Sequence, residues 1–369
     1  MVLTACGGGA PSATQSGGAV ATLPATDVTT GIAKTDVDSV TWYGGYRPLY
    51  NLDPIKLADY PEQTAIPNMC ESVLRMGADY SISPGIASKY AFTDPTHLVL
   101  TVRPGVTFWD GKPVTADDVA YSLNRNRDKK LGSNFLAAFT DIASIDVTGP
   151  DAVTMSFNKP LPTALEGLTT LGGAVVEKAF TEAVGAAFGS PNTGVMCSGP
   201  FQFVSYDGSS KLVMKRNEAY WDKLNRPHVG VFNLVFPTDR TALANGLMAG
   251  TIDGGFNIPS QLLPQLHGAT TGKVYLGGPG STPINLDLLM SSSTGVAADP
   301  RVRQALSKVI DREGIAKTVF DGTADPLYQV SGPGMWRYSR LLFQQAYDAS
   351  ARFITTISSM YDTLVNKTA

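Results

Sequence analysis

Between residues 96 and 102 the chain alternates Leu98, Leu100 and Val102 with His97, Val99 and Thr101, the two-residue period of a strand with two unlike faces. Arg103-Pro104-Gly105 breaks that pattern and residues 106–109 resume it. Asp110-Gly111 then supplies a hairpin turn, and Pro113 prevents simple continuation as a central strand. A helix is expected at once. Thr115 is placed to cap it, Asp118 three residues on makes an acidic capping box, and Val119 and Leu123 share one face. The adjacent carboxylates Asp117 and Asp118 therefore read as a helix start favoured by the macrodipole, not as a catalytic pair.

The same grammar extends along the chain. A short β run at 40–43 ends in Gly44-Gly45, and Asn51-Leu52-Asp53-Pro54 is a turn. Ile66, Met69, Val73 and Leu74, at spacings of three and four, predict a helix over 61–76. Residues 89–92 should pair with 98–102, and the runs 142–147 and 152–157 flank a Gly149-Pro150 turn. Helices are expected over 161–171 and 177–188, and a hairpin joins 199–206 to 211–215. A buried strand at 231–236 precedes a helix capped by Asp239 and stopped by Gly250. After a short strand at 251–256, Asp299-Pro300 opens a helix with Val302, Ala305, Leu306, Val309 and Ile310 on one stripe. Mixed strands and helices without a short repeat imply an α/β protein.

With 369 residues and 43% hydrophobic positions, the chain can bury one large core or two moderate ones, which excludes disorder over most of its length. A net charge of -3 with no Lys/Arg run argues against a nucleic-acid surface, so the partners expected are small molecules or proteins. His97, His228 and His267 are far apart and lack metal-ligand spacing. No nucleophile elbow, phosphate loop or zinc-protease motif occurs, so the reading is of a non-enzyme without cofactor or metal.

Leu3-Thr4-Ala5-Cys6 resembles a bacterial lipobox, which would place a lipid on Cys6, and Gly, Ser and Ala after it suit a tether over residues 1–37. Only five residues precede Cys6, too few for a signal peptide, so the expectation is a start lying further upstream. Cys70 and Cys197 form an even pair that in an exported protein would tend to join; two separate buried thiols are the alternative.

The stretch VRPGVTFWDGKPVTADDV at 102–119 resembles the signature of the family 5 extracytoplasmic solute-binding proteins, the oligopeptide, dipeptide and nickel binders of ABC importers. Further matches come in order: SGPF at 198–201 with RNEAYW at 216–221, AGTID at 249–253, and DPRVRQAL at 299–306 with IDR at 310–312. With NLDP at 51–54 they span about residues 40 to 330.

The resemblance implies a periplasmic-binding-protein-like, type II α/β fold of two lobes with an extra subdomain in lobe I and an incomplete lobe II. The expected order is a lipobox and disordered linker (1–37), the start of lobe I (38–58), the subdomain (59–190), the remainder of lobe I (191–256), partial lobe II (257–348) and a divergent tail (349–369). The expected site is a cleft lined by Trp42, Tyr43, Gly44, Glu71, Met196 and Asn257, with ordinary core packing as the alternative for each. The function implied is capture of a peptide or similar solute for a membrane permease and its ATPase, outside the membrane and held there through the lipid alone. A sensory or pheromone-presenting lipoprotein of the same fold, or a truncated non-binding remnant, are the alternatives.

Overall fold

The structure is a computed structural model that describes residues 25–26, 33–56, 59–77, 80–161, 163–267, 269–270, 272–277, 293–320 and 324–327. Cys6, the helix expected around 341–347 and the tail from 349 lie outside the described residues. In chain order the principal elements are β1 (Val37–Tyr43), α1 (Tyr60–Ala65), β2 (Leu74–Met76), β3 (Ile82–Pro84), β4 (Ala87–Asp94) and β5 (His97–Val102). They continue with α2 (Ala116–Arg125), β6 (Ile142–Val147), β7 (Ala152–Phe157), α3 (Lys178–Val184), β8 (Phe201–Tyr206), β9 (Lys211–Arg216) and β10 (Val229–Val235). Last come α4 (Arg240–Ala249), β11 (Gly254–Gly255), α5 (Pro300–Val309) and α6 (Arg312–Val319).

Two sheets carry the fold. One has the order β11-β1-β10-β9-β8, with β1 parallel to both β10 and β11, and the other is antiparallel in the order β4-β5-β7-β6. Leu98 and Leu100 of β5, Val153 and Met155 of β7, and Val119 and Leu123 of α2 fill the core of the antiparallel sheet. The predicted capping box is present: Asp118 N donates to Thr115 Oγ1 (3.2 Å) and Thr115 N to Asp118 Oδ2 (3.0 Å). A second core joins Leu52, Met69, Cys70 and Cys197 to Leu212, Met214, Leu234 and Phe236. Cys70 and Cys197 are disulfide-bonded, their Cα atoms 5.0 Å apart.

The cores meet at a buried ion pair. Arg125, at the end of α2, donates Nη1 to Asp53 Oδ1 (3.0 Å) and Nη2 to Asp53 Oδ2 (2.6 Å), with side-chain exposures of 6% and 3%. That two-pronged geometry offsets the desolvation of both charges.

Several expected elements are shorter. The helix over 61–76 ends at Ala65, passes through a 3₁₀ turn at Ile66–Asn68 and gives way to β2, because Val73 N and Leu74 N bond to Gly173 O (2.8 Å) and Leu168 O (3.2 Å). The apolar spacing is satisfied by extended backbone between two partners. Among the described residues of 161–171 only Ala164–Gly167 is α-helical, with a 3₁₀ turn starting at Leu171. The strand at 251–256 is reduced to Gly254–Gly255, since the Asp253 carboxylate takes the bond from Thr41 N (2.7 Å) that a strand carbonyl would have taken. Helix α5 forms with Asp299 capping Arg301 N (2.8 Å), yet none of its residues is buried and Ile310 lies past its end. The residues 106–109 hold only an isolated bridge between Thr107 and Pro113. At the linker end, Ala25–Thr26 pairs in parallel with Leu276–Gly277, and β1 begins at Val37, one residue ahead of the expected boundary.

Replacing Arg125 by Met strands a buried carboxylate and is expected to cost about 3 kcal/mol or more, read as a lowered urea midpoint. The disulfide links residues 127 apart, so Cys70→Ala with Cys197→Ala is expected to lose about 4 kcal/mol in the same measurement. Because Cys70 and Cys197 are 1% and 0% exposed, reductant without denaturant should leave the bond intact in wild type, as thiol titration will report.

Candidate functional site

Ligands of open α/β sheets bind beyond the carboxyl ends of parallel strands, and here three such ends lie side by side. Tyr43 of β1 is level with Val235 of β10 and Gly255 of β11. The next residues, Gly44, Phe236 and Phe256, therefore open the same edge. Glycines allow the close packing this needs. A Cβ on Gly44 would stand 2.5 Å from Phe236 Cε1, and one on Gly254 would stand 2.4 Å from Trp42 Cζ3.

Of the expected cleft residues, this edge brings together Trp42, Tyr43, Gly44 and Asn257. Trp42 is half-buried against the second core. Tyr43, at 3% exposure, packs among Leu243, Ala244, Ile252, Leu262 and Leu266, and that burial raises its phenol pKa. Gly44 N donates to Val235 O (2.9 Å), prolonging the ladder by one bond. Asn257, two residues past β11, holds a left-handed backbone (φ 57°), which Asn tolerates better than most residues.

Glu71 and Met196 belong to a second place. Both border the segment that leads into α3, since Val175 N bonds to Glu71 O (2.9 Å) and Glu177 N to Met196 O (3.1 Å). Met196 is half-buried on the first core. Glu71 is buried and held by three donors. Its Oε1 accepts from Arg75 Nη2 (2.5 Å) and Tyr220 OH (2.7 Å), and its Oε2 accepts from Trp221 Nε1. Arg75 also reaches Asp222 (2.6 Å), and the guanidiniums of Arg75 and Arg103 lie 4.9 and 4.6 Å from the Trp221 ring centroid. Burial and then the Glu71 charge push the Tyr220 phenol far above its ordinary value, so it remains a donor. The RNEAYW motif thus fastens the chain after β9 to residues 71–75 and, through Trp221, to the first core. Trp109 makes a tie of its own, donating Nε1 to Gly199 O (3.2 Å) and its backbone N to Cys197 O (3.1 Å).

Sequence reasoning missed the turn after Gly45, where Tyr46, Arg47 and Tyr50 gather around Asp59 and Glu62. The partners stand 12 to 15 residues apart, outside any helix or strand period, so no local pattern signals them. Among the described residues no cluster of His, Cys, Asp and Glu could hold a metal ion, and no helix is long and apolar enough to cross a membrane.

The family model of bacterial extracellular solute-binding proteins, family 5, matches residues 81–354. Periplasmic murein peptide-binding protein MppA of Escherichia coli is 29% identical over 74% of this chain and 53% of its own length. Periplasmic oligopeptide-binding protein OppA of Salmonella typhimurium is 24% identical over 85% of this chain and 60% of its own. The chain thus spans little more than half the length of these relatives. Among solved structures, E. coli MppA superposes with a TM-score of 0.67 at 25% identity, covering 87% of this chain and 67% of that one. The oligopeptide-binding protein AppA of Bacillus subtilis, in complex with a nonapeptide, reaches 0.70 at 18% identity, covering 83% and 60%. Their type II, two-lobed periplasmic-binding fold is the α/β fold found here. Sequence match and shared fold agree: the chain belongs to the family 5 bacterial extracellular solute-binding proteins.

Proposed function

We propose that this chain is the solute-binding component of an ABC import system, taking up a peptide or similar small solute between two lobes and handing it to a permease and its ATPase. The observation that carries this reading is the family match over residues 81–354, joined to an open edge of three parallel strand ends of the kind that receives ligands. The names of the relatives, murein peptide-binding and oligopeptide-binding, support a peptide as solute. Binding and release involve no covalent chemistry. Affinity is set by how strongly the solute favours the closed arrangement of the lobes.

In this reading Trp42, Gly44 and Asn257 border the solute, while Glu71 and Met196 act behind the surface. The protein works on the outer side of the cytoplasmic membrane, held there by a lipid on Cys6. A buried disulfide supports an oxidising compartment, where such bonds persist.

Mass spectrometry under native conditions, after incubation with a peptide mixture, should recover intact peptide in complex with the protein; recovery of cleaved peptide overturns the reading. The same spectra report the lipid as an added mass on Cys6. Glu71→Gln should leave the set of bound peptides unchanged while lowering the unfolding temperature, because it replaces one charged acceptor of Arg75, Tyr220 and Trp221 by an amide.

A further inference from the structure

Three residues past the end of β1 the chain makes a turn whose charges point inward and whose aromatic rings point outward. Glu62, fully buried, accepts from both Arg47 Nη1 and Nη2 (2.9 Å each) and from Tyr50 N (3.1 Å). Arg47 Nη2 also bonds to Asp59 Oδ2 (2.7 Å), and the same oxygen accepts from Tyr46 OH (2.5 Å). The guanidinium carbon lies 4.2 Å from the Tyr50 ring centroid and 5.7 Å from that of Tyr46. Tyr206 OH donates to Leu49 O (2.8 Å), tying the turn to the end of β8. Despite these ties Tyr46 and Tyr50 remain 52% and 69% exposed. Two large rings are thus left facing water on a turn that a buried carboxylate holds still.

We propose that Tyr46 and Tyr50 are specificity-determining residues that receive an apolar side chain, aromatic above all, of the bound peptide; this rests on the solute-binding reading. Position, chemistry and rigidity each contribute. The turn leaves β1 at the edge where the three parallel strands end, so it lies at the mouth of the proposed cleft. Arg47 pairs with both Asp59 and Glu62, which leaves the group a single negative charge held by hydrogen bonds from Arg47 and Tyr46, so ring surface is the larger part of what the turn offers outward. The rings are already ordered, so contact with them loses little conformational entropy on binding. Asp59, accepting a hydrogen bond from the Tyr46 hydroxyl, raises that phenol's pKa and keeps the ring neutral.

The test uses the full chain and an equimolar set of tripeptides carrying Phe, Leu, Gly, Lys or Glu at each position in turn on an alanine background. Native mass spectrometry should show Phe and then Leu peptides enriched over the Gly and Glu peptides, by about two- to tenfold for each ring engaged. Tyr46→Ala with Tyr50→Ala should still hold peptides but lose that preference, whereas Tyr46→Phe with Tyr50→Phe should keep it. A flat profile in wild type, enrichment of Lys peptides instead, or a preference that survives loss of both rings overturns the assignment and leaves the importer reading standing. A wild-type protein that holds no tripeptide and no longer peptide sinks both.

Discussion

The contact on which the architecture turns is the buried bond between Asp53 and Arg125. It crosses from the turn after β1 to the last residue of α2, and so fixes the antiparallel sheet with its helix against the sheet that carries the strand ends. A buried ion pair contributes little net stability when it replaces apolar contact, but it specifies register, because a shift of either partner strands a charge. The surrounding turn is built to hold it. Asn51 Oδ1 accepts from Asp53 N (2.7 Å), Leu52 N donates to Gly189 O (2.8 Å), and Asn134 N to Ile55 O (2.9 Å). Gly189 cannot carry a side chain here: a Cβ would stand 2.3 Å from Asn51 Oδ1, and its φ of 78° is one that L residues rarely adopt.

A second tie works beside it. Glu71, Arg75, Tyr220, Trp221 and Asp222 bring residues about 150 positions apart into one hydrogen-bonded group, with the Cys70–Cys197 bond next to it. A charged group at 7% exposure persists because each of its oxygens meets a donor. Removal of the Trp221 donor would take from Oε2 its bond in a region of low dielectric, whereas Oε1 is held by both Arg75 and Tyr220.

These contacts mark what the sequence could disclose. Caps, hairpins and two-residue alternation are local, and the strand at 97–102 and the capped helix at 116–125 form as their pattern predicts, while 106–109 keeps only a bridge to Pro113. The helix expected over 61–76 fails for the opposite reason. Val73 and Leu74 take partners near residue 170, and helical and extended backbone can present the same apolar spacing. Helix α5 has the apolar stripe its spacing predicts, but periodicity says which face is apolar, not what covers it: Val309 is 68% exposed. At the candidate site the family resemblance names Tyr43 and Glu71, but their burial and their partners, Leu243 to Leu266 for one and Tyr220 and Trp221 for the other, lie far along the chain and are not legible from local pattern.

The same distinction bears on how the strand edge connects to the chain beyond it. Asp253 exchanges two bonds with Thr41, its carboxylate accepting from Thr41 N and its own N donating to Thr41 O (2.7 Å each). This side chain and backbone together stand in for a ladder rung, which explains why an Asp ends the AGTID stretch: a longer Glu would overreach, and an aliphatic residue would leave Thr41 N without that acceptor. The rung places Gly254 and Gly255 against β1, and only then does Asn257 turn the chain into the left-handed region and away from the sheet. Up to Gly255 the backbone is held by paired bonds on β1; beyond Asn257 it is not part of that sheet. Under the proposed function, a motion that opens and closes the cleft would meet least resistance at this boundary, because bending on its near side would break ladder bonds and bending on its far side would not.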